Sequence, residues 1–138
     1  MPTLADAPPV SFILTADRAA AKPFYAGALG LPILSEDGFA VTFALSGGMR
    51  LRLTDLPGHT AMQHTVLGWA VADIAATVAD LRSKGVTFKI YEGFGQDADG
   101  IWSPPGGGAK VAWFADPDGN VLQVLQTIEA AGKQEQMA

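Results

Sequence analysis

The feature that most constrains this chain is a layout that occurs twice. Asp17 and Asp73 each stand in front of a run with helical apolar spacing, and Gly30 and Gly85 close those two runs. The aspartates lie 56 residues apart (73 − 17) and the glycines 55 (85 − 30). An aspartate carboxylate accepts from the free N–H groups at a helix start, and a glycine takes the left-handed backbone that ends a helix. A spacing held at both ends of the helix divides the 138 residues into two copies of one small unit.

The segments around each helix repeat as well. In the first copy the apolar run Val10–Thr15 reads as a strand, and residues 19–29 read as a helix with Ala21, Tyr25, Ala28 and Leu29 on one face. Pro23 lies inside that helix, which predicts a kink or a regular part that starts near Lys22. Residues 31–35 are extended. Residues 39–45 alternate with Phe39, Val41, Phe43 and Leu45 together, and residues 49–54 set Met49, Leu51 and Leu53 opposite Arg50 and Arg52. Residues 56–63 form a linker.

The second copy has a strand at 64–71 and a helix at 74–84 with the stripe Ile74, Val78 and Leu81. An extended stretch at 86–92 follows, then a long Gly/Pro-rich loop at 93–109 of the kind that binds ligands. Strands at 110–115 and Val121–Thr127 flank the turn Asp116-Pro117-Asp118-Gly119-Asn120. Residues 1–9 read as a loose leader, and the polar tail 128–138 frays. The fold class is α+β: two tandem βαβββ modules, at 10–55 and 64–127, in a single domain spanning 1–138. Each sheet carries its helix on one face, and the sister half is the natural cover for the other face.

Composition excludes several functions. With 49% hydrophobic and 17% charged residues the chain has ample material for a core, so it is not disordered. It has no cysteine, which removes disulfides, thiol nucleophiles and iron–sulfur clusters. A net charge of −5 without a basic cluster fits neither nucleic acid nor an anionic membrane. Residues 1–10 lack the basic and apolar parts of a signal peptide, and no segment is apolar enough to span a bilayer, so a cytoplasmic protein is expected.

Several motif look-alikes fail on mechanism. Gly93-Phe94-Gly95 has no helix start behind it to hold a pyrophosphate. Asp116, Asp118 and Asn120 open like a calcium loop, but Val121 stands where its glycine belongs and Thr127 where its glutamate does. Gly106-Gly107-Gly108-Ala109-Lys110 lacks the hydroxyl residue of a phosphate loop.

The run from Asp17 to Tyr25 closing with Leu29-Gly30-Leu31 resembles the helix signature of the glyoxalase, bleomycin-resistance and extradiol-dioxygenase superfamily, also called the vicinal oxygen chelate superfamily. Val71-Ala72-Asp73-Ile74 with Leu81 and Gly85-Val86 resembles its second copy, and the turn at Asp116–Asn120 before a strand resembles its last hairpin. The resemblance covers residues 10–126. It implies paired βαβββ modules whose sheets curl around a cavity, commonly in a homodimer. Enzymes of the family mostly hold a divalent metal through a His on the first strand and a Glu on the last strand of each half. The corresponding positions here are Val10, Arg52, Val66 and Gln123. Val has no donor atom, Arg is a fixed cation, and Gln offers one weak oxygen. No metal and no other cofactor is expected.

If those positions still face inward, the cavity presents Val10, Phe12, Arg52, His64, Val66 and Gln123. Pairing Asp116 with Asn120 places Trp113 opposite Gln123 on the same face. Trp102 in the long loop reads as a lid or a loop anchor, Tyr91 and Glu92 end the strand beside it, and Trp69 reads as core. Arg52 is either a ligand anchor or salt-bridged, since a buried guanidinium needs a partner. His64 is either a site group or structural. Such a wall suits a small, partly hydrophobic molecule, aromatic or anionic, bound without turnover. The alternatives are a lyase, isomerase, hydrolase or dioxygenase-related enzyme acting on a small carbonyl compound, with His64 or Glu92 as base and Arg52 stabilising the anion, and a structural dimer with a filled pocket.

Overall fold

A computed structural model describes residues 3–127; the expected polar tail at 128–138 lies outside the described residues. Two compact units emerge. Among the described residues, one contains residues 3–64 together with Asp116–Asn120, the other Thr65–Ala115 together with Val121–Thr127. Among the described residues no helix is long and apolar enough to cross a membrane.

The first unit runs β1 (Val10–Thr15), α1 (Arg18–Pro23), β2 (Ile33–Glu36), β3 (Ala40–Ala44) and β4 (Arg50–Asp55). Its sheet has the order β1-β4-β3-β2, with β1 parallel to β4 and the other neighbours antiparallel. Alternation decides which face is closed. Ile13 and Val41 both pair with Leu53, and Phe43 pairs with Leu51, so these five side chains share a face and are buried. Tyr25 meets that face at Phe43, with ring centroids 5.9 Å apart. Burying each such side chain is worth about 1.5–3 kcal/mol.

Asp17 caps α1 by accepting from the Ala20 N–H at 3.3 Å. The regular helix then ends at Pro23, earlier than the expected 19–29, and of the two expected effects of Pro23, a kink or a regular part starting near Lys22, the second does not occur, since Lys22 lies near the helix end. Proline has no N–H to give the preceding turn, and its ring crowds the carbonyl four residues back. The chain opens into a wide π-type turn over Phe24–Ala28, in which the Leu29 N–H reaches the Phe24 carbonyl at 3.1 Å. Gly30, with φ +68°, ends it. Phe39 also departs from expectation. Asp37 Oδ1 accepts the N–H groups of Phe39 and Ala40, which makes Phe39 a turn residue, 76% exposed, and starts β3 at Ala40.

The turn at Asp116–Asn120 is bonded into this unit. Asp118 accepts from the Thr15 hydroxyl and from the Ala16 N–H, and Asn120 Nδ2 donates to the Leu14 carbonyl at 2.8 Å.

The second unit runs β5 (Thr65–Ala70), α2 (Ile74–Ser83), β6 (Ala109–Ala115) and β7 (Val121–Thr127). Its sheet order is β5-β7-β6, parallel then antiparallel. Asp73 caps α2, Ile74, Val78 and Leu81 are its buried stripe, and Gly85 at φ +91° follows it. Leu67, Leu122 and Phe114 stand in one row and Trp69, Val124 and Ala112 in the next but one, so Trp69 lies on the apolar face and stacks on Phe114 at 6.5 Å.

Residues 86–92 do not form the expected strand. A single bridge joins Phe88 to Phe114, and the Lys89 N–H reaches the Trp113 carbonyl at 2.7 Å. The ladder stops there because Val111 gives both its N–H and its carbonyl to Trp102. The edge that residues 86–92 would occupy is already taken.

Candidate functional site

Trp113 on β6, Gln123 on β7 and Gly68 on β5 form one row across the second unit's sheet. The Trp113 indole Nε1 donates to Gln123 Oε1 at 3.1 Å, and the Thr65 hydroxyl donates to the same oxygen at 3.1 Å. Gly68 is what admits the Gln123 side chain, since a Cβ there would lie 2.9 Å from Gln123 Cγ. Above Trp113 the loop supplies three more rings. Tyr91 and Phe94 approach it edge-on at 5.4 and 5.9 Å, and Trp102 lies tilted at 5.8 Å. Gln96 holds the loop's base by accepting from the Tyr91 N–H and donating to the carbonyls of Lys89 and Gly100. Burial pushes the Tyr91 phenol above its ordinary pKa. Beside these rings is a groove of about 350 Å³ lined by Gly93, Phe94, Trp102, Ser103 and Pro105, none of them charged.

In the first unit, Phe12, Arg52 and Thr42 form another row, on the face away from Leu53. Phe12 is 61% exposed and Val10 is also exposed. Arg52 Nη1 donates to the Thr42 hydroxyl at 3.2 Å, and Nη2 lies 3.6 Å from Asp37 Oδ2. The backbone donors of Phe39 and Ala40, aided by Arg52, hold the Asp37 carboxyl below its ordinary pKa. Asp37 is thus a protein carboxylate partner of Arg52.

Two positions need correction. Period two counted back from Gly68 puts Val66 and His64 on the Gln123 face, but a bulge between Thr65 and Leu67 breaks the alternation. Thr65 meets Gln123 instead, and Val66 has no register partner. His64 lies before β5 and is exposed, as is Glu92.

The family model of the Glyoxalase/Bleomycin resistance protein/Dioxygenase superfamily matches residues 9–124. The chain belongs to that superfamily. Solved structures share the fold of this glyoxalase-superfamily chain. TnmS3, an antibiotic binding protein from Streptomyces sp. CB03234, is 22% identical, with 91% of this chain and 99% of that one covered and a TM-score of 0.65. Oxidase ChaP-H2 is 21% identical over 94% of this chain and 99% of its own, with a TM-score of 0.66. Lactoylglutathione lyase from Agrobacterium tumefaciens is 20% identical over 88% and 93%, with a TM-score of 0.65. At these identities the likeness is one of fold. No curated protein matches the chain.

The metal positions implied by the superfamily resemblance do not fit a divalent ion here. Gln123 Oε1 is the one neutral oxygen donor at the four positions, and both of its lone pairs are used by Trp113 and Thr65. Arg52 brings positive charge, and Val10 and Val66 bring carbon. Among the described residues no three of His, Cys, Asp or Glu gather as metal ligands.

Sequence reading missed Thr65, Asp37, Gln96 and Phe94 as site-shaping residues. The signal for Phe94 was present: a large apolar side chain between two glycines in a polar loop has no role in a core. No such signal marks Thr65, because it takes its place through a bulge.

Proposed function

We propose that this glyoxalase-superfamily chain binds a small, partly hydrophobic molecule with a flat aromatic part, and that it does so without a metal ion. The observation that carries this reading is the cluster of Trp113, Trp102, Tyr91 and Phe94 beside an uncharged groove that Phe94 and Trp102 line. Faces and edges of electron-rich rings attract a flat ring offset or edge-on, and each well-made pair adds about 0.5–1.5 kcal/mol beyond area burial. Gln123 fixes the indole of Trp113, so the surface is organised before a ligand arrives, which lowers the entropy cost of binding. The fold likeness to TnmS3, named as an antibiotic binding protein, is in line with this reading. Arg52 faces Asp37, whose charge offsets part of its pull on an anionic ligand. The reading includes a homodimer in the cytoplasm; its support is the exposure of Phe12, Phe39, Ile33, Leu34 and Leu56 in the first unit.

The test is a thermal-shift screen against aromatic acids, antibiotics and glutathione conjugates, followed by calorimetry on the hits. At least one flat aromatic compound should raise the melting midpoint, and Trp102→Ala should cancel the rise. A screen in which only ring-free compounds stabilise the protein, or in which Trp102→Ala changes nothing, overturns the reading.

A further inference from the structure

Of the four clustered rings, Phe94 and Trp102 line the groove, and Trp113, Trp102 and Tyr91 are tied to groups outside it. Trp113 belongs to β6 and its indole N–H is held by Gln123. Trp102 exchanges both backbone hydrogen bonds with Val111, at 2.8 and 3.0 Å. Tyr91 is tied through its N–H to Gln96, and the same Gln96 side chain closes the loop onto Lys89 and Gly100.

Phe94 differs. Its neighbours on both sides are glycines at positive φ, Gly93 at +86° and Gly95 at +75°. A Cβ on either would meet nothing within 4 Å, so close packing is not what calls for glycine there. What calls for glycine is the positive φ itself, and at Gly93 that φ belongs to the turn closed by the Phe94 N–H on the Tyr91 carbonyl. The Phe94 ring stays 48% exposed, yet it contacts Tyr91 at 5.5 Å, Trp102 at 5.5 Å and Trp113 at 5.9 Å. A half-exposed phenyl at a loop tip that touches three fixed rings sits as a small aromatic guest would sit.

We propose that Phe94 is a resident ring: its side chain takes the place against Trp102 and Trp113 that the flat ring of a ligand takes, and binding turns that half-exposed side chain out. This rests on the groove being the binding site. The groove then accepts one uncharged ring of phenyl to bicyclic size, because the place to be filled is that of a phenyl group and its lining carries no charge. Phe94 competes with the ligand, so the apparent affinity is reduced by the fraction of time the phenyl is in place.

The experiment titrates naphthalene-2-methanol, 2-naphthoate and 2-naphthylmethylammonium into the full chain, Phe94→Ala and Phe94→Leu by calorimetry, with melting curves for each. Removing the competing ring should tighten at least one probe about tenfold in Phe94→Ala, about the worth of one good ring contact. Phe94→Leu should fall between, since it keeps bulk without a ring, and it also serves if the alanine variant folds poorly. The neutral probe should gain most. If the full chain binds a probe and both variants bind it equally or more weakly, Phe94 is a wall of the groove and the inference is wrong while the groove reading stands. If neither the full chain nor either variant binds any of the three, both are wrong.

Discussion

The hydroxyl of Tyr25 donates to Asp116 Oδ2 at 2.6 Å, joining two buried residues that are 91 positions apart in the chain. Asp116 also accepts from Asn120 Nδ2 and from the backbone N–H groups of Asp118 and Asn120. The hairpin turn is thereby shaped by a carboxylate that the first unit's wide turn reaches with a phenol. The Tyr25 position follows from Pro23, since the π-type turn over Phe24–Ala28 begins directly after it.

Removing that phenol should cost about 1.5–3 kcal/mol, the range for a hydrogen bond to a charged group. Burial, reinforced by Asp116, pushes the Tyr25 phenol far above its ordinary pKa. A group whose folded pKa is raised adds stability below its unfolded pKa and loses it as pH rises past that value, here about 10. Urea denaturation should therefore show Tyr25→Phe less stable than the parent at pH 8, with the gap closing as pH rises above 10. A constant gap across that range would mean the phenol does not titrate with folding.

Asp37 works in the opposite sense. Its carboxyl is held low by the N–H groups of Phe39 and Ala40, then by Arg52. A depressed folded pKa adds stability above the unfolded value and loses it as pH falls through the folded one, so the loss begins below about pH 4. The melting midpoint of the parent should fall on acidification more than that of Asp37→Asn. The two should converge once the pH is low enough to protonate the carboxyl in both states.

The donor set also carries a prediction about metal. A resident ion stabilises the folded chain by mass action, and stripping it lowers the melting midpoint by several degrees. Treatment with EDTA should leave the midpoint where it was, and added zinc, nickel or manganese should not raise it. A loss on chelation that the same ions restore would require donors other than Val10, Arg52, Val66 and Gln123.

Much of this architecture is legible in local chemistry. Asp17 and Asp73 cap their helices because the carboxylate meets the third N–H after it, a relation confined to four residues. The pairing of Trp113 with Gln123 follows from the turn alone, since an antiparallel register is carried from its closing pair, Asp116 and Asn120. What escaped are competitions between distant groups. Whether residues 86–92 complete a strand depends on whether Trp102 has already claimed Val111. The bulge at Thr65 and the ion pair of Arg52 with Asp37 likewise depend on partners that no local pattern names.

The fit of Gly68 against Gln123 makes the sharpest test. Gly68 has an ordinary backbone conformation, so alanine there is penalised by contact alone: its Cβ would sit 2.9 Å from Gln123 Cγ and 3.4 Å from the Gln123 carbonyl oxygen. The Gln123 side chain has to move, and its oxygen then leaves the Trp113 indole and the Thr65 hydroxyl. Gly68→Ala should cost about 1–3 kcal/mol, the usual range for overpacking, with a change in tryptophan emission as the Trp113 N–H loses its acceptor. Gln123→Ala should be destabilising by itself, because it strands the same two donors. The double variant has no Cγ to strike and no amide left to displace, so its cost should be well below the sum of the two single costs. If the costs simply add, Gly68 acts through the backbone and not through the room it leaves for Gln123.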